Sequence, residues 1–600
     1  MTSDTLPKLF LDNARRFGDR VALREKDLGI WKRITWLDYS KHVRHFCLGL
    51  MELGLNRGDT VSILGDNCPE WLYADLAIQF ASAITVGIYQ TDTAPQVHYI
   101  LDNSDSRYIV VRDQEQADKV LEVKSDLPLL TRIIVIDMKG LRHYEDPIII
   151  SFDQVEKLGE RVASEKSGYF EDLASRTMPK DIALIVYTSG TTGPPKGAML
   201  SHLNILTMTD AMFSKEPFFE NDSLVSSLPL CHVAERMFSL FFQMRSGHCI
   251  NFAEGIDTLQ EDLAEISPTA FLNVPRIWEK MHSNIMIKLQ DAFWLKRWIF
   301  NRSIPIGERV ARFRWEGKGV PVHWKLLYAM AYLAMFRHLR KKLGLLRGRL
   351  FYTGAAPLSP EVIGFFHAIG IWIKESYGMT EMSGMVSVQR GDDIRPGNVG
   401  KVFDEIECKI ARDGEILLKG NSVFSGYYQN PKATAEAVRD GWFYTGDVGE
   451  IDEKEHLLIK DRKKDIIITS GGKNITPSEI ENRLKFSLYI KEAIVIGDRR
   501  KFLTALIQLE LENVSNWAQS NRILFTTYKS LARNEQIYDL IKEEVGEVNR
   551  VLANVETIKK FTILDKELDH DDEELTATMK VRRATVEEKF SDLIEKMYGG

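Results

Sequence analysis

Six hundred residues exceed what one hydrophobic core holds, and a prior of ~150 residues per domain suggests about four compact units or fewer large ones. The chain is 44% hydrophobic and 27% charged, an ordinary globular balance, and its net charge of −7 gives no overall basic field, so nucleic acid is not an expected partner. Five scattered cysteines (Cys47, Cys68, Cys231, Cys249, Cys408) form no CxxC pair, which fits a reducing compartment and argues against a structural zinc site. Met1-Thr2-Ser3-Asp4 shows no secretory-leader pattern, and the longest apolar run, 326–336, is too short to span a bilayer.

From 9 to 52 the pattern predicts a helix, a hairpin near 31–36 and a second helix. Residues 61–64 and 83–89 read as strands, 69–78 and 97–102 as helices, and 108–111 and 132–136 as extended. Strands alternating with helices imply a parallel sheet covered on both faces, and such sheets bind ligands in the loops at the carboxyl ends of their strands.

A buried strand at 182–186 leads into Tyr187-Thr188-Ser189-Gly190-Thr191-Thr192-Gly193-Pro194-Pro195-Lys196-Gly197, after which 198–202 can open a helix. Two of the glycines, Gly190 and Gly193, let backbone approach an anion closely. Backbone N–H groups and the hydroxyls of Thr188, Ser189, Thr191 and Thr192 donate to phosphate oxygens, and Lys196 adds a point charge. The spacing is not that of a Walker A loop. Residues 224–228 form a strand ending in a Pro-bounded turn that carries His232; a lone histidine there is more often structural, but its place beyond the strand keeps a site role open.

Residues 288–349 stand apart, with lysine and arginine dominant, acids few, and Trp294, Trp298, Trp315, Trp324, Tyr328 and Tyr332 interleaved. Two readings are open: a solvated basic helical pair, or peripheral contact with anionic lipid. Further strand-to-loop junctions follow at Gly354-Ala355-Ala356-Pro357 and at Ser376-Tyr377-Gly378-Met379-Thr380-Glu381, the latter offering an aromatic face, a hydroxyl and a hard oxygen ligand for Mg²⁺. Short extended pieces and turns from 401 to 460 suggest an antiparallel unit, with Asp447 a reasonable acceptor for ribose hydroxyls. Asp461-Arg462-Lys463-Lys464-Asp465 is a charged break, Ser470-Gly471-Gly472 a flexible loop, and Thr476-Pro477-Ser478-Glu479 a helix start with a capping box. The tail is α+β, with helical patterns at 512–518 and 535–551 and Lys580 ahead of the last helix.

Taken together, YTSGTTGPPKG, YGMTE, YTGDVG, DRKKD and LTATMKVRR, in that order, resemble the adenylate-forming (AMP-binding) superfamily. LPLCHVAERM and FLNVPRIWEK look like its long-chain fatty acyl-CoA synthetase branch. The resemblance covers nearly the whole chain. It implies an α/β protein with a large N-terminal domain of layered sheets and a β-barrel-like subdomain (1–461), and a small mobile α+β domain (462–600) hinged near 461–465 at Lys464. It implies that a fatty carboxylate attacks the α-phosphate of ATP to give acyl-AMP, from which coenzyme A then takes the acyl group.

By the same resemblance Thr188 to Lys196 would hold the β- and γ-phosphates. Glu381, with Thr188, would hold Mg²⁺, and Thr380 would touch the α-phosphate. Gly354, Ala355, Ala356 and Tyr377 would wall the adenine, with Ser376 and Gly378 also nucleotide-binding, and Asp447 and Arg462 would hold the ribose. Lys580 would reach the carboxylate and α-phosphate, His232 would line the acyl entrance, and Gly471 and Gly472 would approach the pantetheine arm. The expected setting is cytoplasmic, with a candidate peripheral contact on the inner face of the membrane through 288–349. The last motif lacks the glycine that most of the superfamily has before the lysine, as the long-chain branch also does. Arg236 stands near where some bacterial relatives place a tryptophan gate. Rival readings are transfer of the acyl group to a carrier protein, and a lipid-binding or uptake protein with an idle site.

Overall fold

The computed structural model describes residues 3–188, 194–255, 257–290, 292–391, 393–570, 572–576 and 580–599. Two large sheets organise the first three quarters of the chain. One has seven strands in the order Ile149–Ser151, Arg132–Val135, Ser106–Val111, Thr60–Leu64, Ile84–Ile88, Ile182–Thr188, Lys196–Ser201. All its pairs are parallel except the last. The other has nine strands, with a parallel run from Ile373–Met379 through Leu350–Thr353, Ala270–Asn273, Ser223–Ser226 and Cys249–Phe252 to Val21–Asp27 and antiparallel strands at both edges. The continuous apolar runs read from sequence are fully buried strands, as parallel sheets covered on both faces require.

A five-stranded antiparallel unit follows, built on the long strand Trp442–Ile451, which pairs with Glu415–Lys419, Val438–Arg439 and Leu457–Arg462. Beyond it the chain builds a separate core. Ile467, Leu484, Val495, Leu503, Ile507 and Ile563 pack within a cluster drawn wholly from residues 467–563, over a three-stranded sheet of Ile490–Ile496, Leu503–Leu509 and Ile558–Ile563. This is the layered α/β architecture with a small α+β lobe expected from the sequence.

Two local outcomes differ from the sequence reading, and a third bears out the helical pair read there. Residues after the phosphate-type loop form the strand Lys196–Ser201 first, and the helix His202–Lys215 opens only at Ser201, whose side chain and Asn204 make a reciprocal capping box. Pairing with Ile182–Thr188 supplies the backbone partners that favour the strand. The helix Pro477–Leu484 starts where expected, but Thr476 makes no side-chain cap bond. Asp461 accepts instead from the Ser478 N–H (3.2 Å) and hydroxyl (2.9 Å), so a carboxylate of the strand Leu457–Arg462 caps the first helix of the small lobe. The basic segment is two helices, Trp294–Trp315 and a second that runs from Val322–Ala331 through a π-turn at Tyr332–Phe336 into Arg337–Lys342. Among the described residues no helix is long and apolar enough to cross a membrane.

Candidate active site

The site lies where the two large sheets, the antiparallel unit and the small lobe converge. Thr188 and Lys196 are paired residues at the mouth of an antiparallel hairpin, with the Thr188 hydroxyl 3.4 Å from the Lys196 carbonyl oxygen. Ser189, Gly190, Thr191, Thr192 and Gly193, at its tip, lie outside the described residues. The segment 424–428 threads between this hairpin and the turn Thr380–Met382. The Tyr428 N–H donates to the Gly197 carbonyl (2.8 Å) and the Phe424 N–H to the Glu381 carbonyl (2.8 Å). Tyr427 joins the two sides: its hydroxyl donates to Glu381 Oε1 at 2.8 Å, and the Lys196 amine sits 5.3 Å from its ring centre. Lys196 and Glu381 are therefore neighbours across one aromatic ring. The sequence reading passed over Tyr427 as part of an extended piece; an aromatic pair after a glycine in a turn was the available signal.

The next wall is set by close backbone approach. A Cβ on Gly354 would lie 2.7 Å from the Ser376 hydroxyl, which donates to the Thr353 carbonyl at 2.9 Å, and a Cβ on Gly378 would overlap the Gly384 carbonyl. Ala355 is held at φ +68°, a left-handed conformation that costs a residue with a side chain about 1 kcal/mol or more. Its carbonyl accepts from the Lys580 amine at 2.9 Å, so the strained residue is the one that receives the small lobe's lysine. Ala356, next along the same loop, is exposed. Thr380 is buried at the start of its turn.

Opposite lies a polar corner. Tyr377, buried, donates its hydroxyl to Asp447 Oδ2 at 2.7 Å. Arg462, directly paired with Asp447 on the neighbouring strand, places its Nε 3.8 Å from Oδ1. Burial pushes the Asp447 carboxyl upward, and the Tyr377 donor and the Arg462 and Lys580 charges pull it back.

Lys580 is fixed to Thr576 by two bonds: the Thr576 N–H donates to the Lys580 carbonyl (2.8 Å) and the Lys580 N–H to the Thr576 hydroxyl (3.1 Å). The residue as a whole is exposed, but its amine is hemmed in by the cleft. Lost hydration, reinforced by the Arg462 charge and opposed by Asp447, lowers its pKa to about 8. The same amine is felt by His232. Burial, with the Lys580 charge, holds His232 down at about 4, so its ring is neutral at neutral pH. His232 caps the short helix Val233–Arg236, its Nδ1 accepting the Ala234 N–H at 3.1 Å, and the proton is therefore on Nε2 as a donor. The loop that presents it is clamped by Asn67, which bonds the Leu228 carbonyl and the Leu230 N–H, and by Glu235, which accepts the Leu228 N–H. Neither residue was picked out from the sequence: Asn67 stands 163 positions from Leu230, while Glu235 is close to Leu228 in the chain but carries no pattern that marks it.

Other expected residues sit elsewhere. Gly471 and Gly472 form the exposed tip of the small-lobe hairpin Ile467–Ile468/Asn474–Ile475. Lys464 is exposed in the turn after Leu457–Arg462, whereas its neighbour Lys463 is tied to the large lobe through Asp413 (2.6 Å) and Glu415 (3.0 Å). Arg236 does not face the cleft: it is fully buried, with Nε 3.4 Å from Asp75 Oδ2 and its guanidinium 4.6 Å from the Trp71 ring centre. Among the described residues no group of three or more His, Cys, Asp or Glu side chains could hold a metal by itself. Glu381 nevertheless fits Mg²⁺ in a site completed by substrate phosphates, because only one of its carboxylate oxygens is bonded to protein among the described residues.

The sequence and the fold resemble those of known proteins. The AMP-binding enzyme family matches residues 10–428, and the AMP-binding enzyme C-terminal domain matches 464–600. A long-chain-fatty-acid–CoA ligase of Xenopus laevis is 33% identical, covering 99% of this chain and 84% of the relative. Another of Mycobacterium tuberculosis is 32% identical, covering 99% and 97%. Among solved structures, an anthranilate CoA ligase in complex with anthranoyl-AMP superposes with a TM-score of 0.72 at 19% identity over 98% of both chains. ATP-bound MatB from Rhodopseudomonas palustris gives 0.67 at 20% identity over 98% and 99%. The chain is a member of the AMP-binding enzyme family.

Proposed function

We propose that the protein is an ATP-dependent, AMP-forming ligase that activates a long-chain fatty acid as acyl-AMP and passes the acyl group to coenzyme A. The observation that carries this reading is the Lys580 amine at the Ala355 carbonyl, between the Asp447–Arg462 corner and His232. One amine then faces both the place for a nucleotide α-phosphate and the place for a carboxylate.

In the first step a carboxylate oxygen attacks the α-phosphorus and pyrophosphate leaves. Two anions must meet, so positive charge and preorganised donors offset their repulsion, each such donor being worth ~3–4 kcal/mol by mutation. Lys580 and Lys196 supply charge, Thr188 and Thr380 hydroxyls, and His232 an Nε2 proton at the carboxylate end. Asp447, with Tyr377 and Arg462 behind it, accepts from the ribose. Mg²⁺, held by Glu381 with Thr188, would supply further charge neutralisation on the phosphates when bound.

In the second step the thiol of coenzyme A attacks the acyl carbon, AMP leaves, and the thiol proton goes to solvent. No cysteine of the chain is needed, and Cys231, the one beside His232, is fully buried and pushed well above the usual thiol range, which makes it a poor nucleophile. The amine has to withdraw to admit the thiol. The boundary is proposed at 1–461 and 462–600; separate cores, and Lys463 tethered beside a Lys464 with no bond among the described residues, support rotation of the small lobe about Lys464, with Gly471 and Gly472 then approaching the pantetheine arm. The names of the relatives support the long-chain substrate class. A cytoplasmic enzyme with a peripheral membrane contact through 288–349 completes the reading, since long-chain acids partition into bilayers.

Pyrophosphate exchange into ATP across a panel of fatty acids, with mass spectrometry of products with and without coenzyme A, tests it. Exchange with long chains and a coenzyme-A-dependent thioester are expected. Exchange without a thioester would favour hand-off to a carrier protein, and no exchange would leave a lipid-binding protein with an idle site.

A further inference from the structure

The helix 322–342 is apolar on two sides. Its inner side, with Ala331, Met335 and Phe336 buried and Tyr328, Tyr332 and Leu339 half-buried, packs into a core shared with Phe365 and Phe366. Its outer side needs no core and still carries Val322 (72% exposed), Leu326 (63%), Met330 (60%) and Leu333 (74%). Steps of four, four and three residues put these on one stripe, which two further steps of four continue into exposed Arg337 and Lys341. The neighbouring helix Trp294–Trp315, which packs on this one, opens with Phe293, Trp294 and Trp298, all more than half exposed. A solvent-facing apolar stripe of this length has no role in the folded monomer and marks an interaction surface.

Charge selects the occupant. Residues 288–349 hold fifteen lysines and arginines against three acids, a net of +12 in a chain totalling −7, so everything outside the segment sums to −19. Within the segment the ion pairs among the described residues are Lys318–Glu316 and Arg349–Asp222, which leaves the other cations without a carboxylate. A second copy of this acidic chain would bring its own basic patch against this one. An anionic bilayer satisfies both features, its phosphates taking the cations and its acyl region the stripe.

We infer that the outer face of helix 322–342, with the aromatic start of its partner, docks the protein on anionic membrane surfaces. Val322, Leu326, Met330 and Leu333 enter the headgroup–acyl boundary, and Arg337, Lys341 and their basic neighbours meet lipid phosphate. This specifies the peripheral contact of the preceding reading but is independent of its chemistry.

The test is flotation of the full chain with phosphatidylcholine vesicles, with and without phosphatidylglycerol, at low and high salt. Two variants are compared with the parent: Leu326→Asp with Leu333→Asp, and Arg337→Glu with Lys341→Glu and Lys342→Glu. All five positions are exposed, so both variants are expected to fold. The parent is expected to float with the anionic vesicles only and to be released by salt, and the charge-reversed variant to bind on the order of a hundredfold more weakly. The stripe variant is expected to lose binding, while pyrophosphate exchange with a water-soluble medium-chain acid stays at parental rates. Equal flotation on neutral and anionic vesicles would overturn the inference, as would unchanged binding by either variant. So would a parent that stays unbound but self-associates through the stripe. Vesicle binding without exchange activity would instead count against the ligase reading and leave the docking face standing.

Discussion

The Asp447–Arg462 corner and the lysine loop border the same cleft and are anchored by different means. Asp447 is buried, receives the Tyr377 hydroxyl at 2.7 Å, and faces Arg462 from the strand to which its own backbone is paired. Lys580 crosses from another lobe with its own core, and its recorded hydrogen bond to the large lobe ends on one carbonyl, that of Ala355. The corner is preorganised before substrate arrives, whereas the lysine is placed by the position of its lobe. A group needed in both half-reactions belongs on the first kind of support, and one needed only in the first belongs on the second.

The largest effect should come from removing the amine. Lys580→Ala is expected to lower pyrophosphate exchange by ~10²–10³-fold, the scale of one preorganised donor to a developing charge. It should leave thioester formation from presynthesised acyl-AMP within a few-fold of the parent. Equal loss in both half-reactions would mean that the lysine is not confined to the first. The same amine sets a pH limb. Its pKa is lowered to about 8, so the ammonium is present below that pH and lost as pH rises through it. In the free enzyme kcat/KM for ATP should fall on that alkaline side, and Lys580→Arg should flatten the limb at a lower absolute rate. A limb that stays in place in the arginine variant would assign it to another group.

The corner should respond in binding rather than in selectivity between steps. Tyr377→Phe removes one donor to a buried carboxylate, about 1.5 kcal/mol, and is expected to raise KM for ATP ~10-fold with kcat little changed. The sign of its pH effect also follows. The Tyr377 hydrogen bond lowers the Asp447 pKa, so without it the carboxylate protonates at higher pH and the acid limb of kcat/KM moves upward. A drop confined to kcat would contradict a preformed ribose contact.

How much of this was legible in the sequence follows from how far each contact reaches along the chain. The strands at 60–64, 84–88 and 106–111 announce themselves as apolar runs because each is buried on both faces. The loop at 187–197 and the YGMTE turn stand out because their residue types are chemically unusual for turns. Tyr427 between Lys196 and Glu381, Asn67 beneath the His232 loop, and Asp461 capping a helix of the other lobe were not legible, since each gets its role from a partner fixed only by tertiary packing. The capping box expected at Thr476 shows the converse: the local pattern was correct as a helix start, and a nearby carboxylate took over the cap. In the basic segment, composition indicated a charged pair of helices, but only the fold separates the stripe beginning at Val322 from the inner face that packs in the core.

The smallest predicted effect probes the seam itself. Asp92, buried just after the turn that follows the strand Ile84–Ile88, lies 3.9 Å from the Nε2 of His570 in the small lobe, and the Arg582 charge is felt there too. Burial raises the Asp92 carboxyl to about 6, and His570 and Arg582, together with Lys119 of the large lobe, act against that rise, so at neutral pH the carboxylate is mostly ionised and feels the Arg582 charge from the small lobe. Under the proposed rotation of the small lobe, this contact is made only while Lys580 is in the cleft. Asp92→Asn keeps the shape and removes the charge, and should cost about 1 kcal/mol, ~5-fold, in pyrophosphate exchange. Because the pair is absent once the lobe has turned, the coenzyme A step measured from acyl-AMP should be unchanged or faster. If both steps slow together, Asp92 supports the large lobe rather than the docked position of the small one. If neither changes, the Ala355 carbonyl and the Asp461 cap suffice to hold the lysine in place.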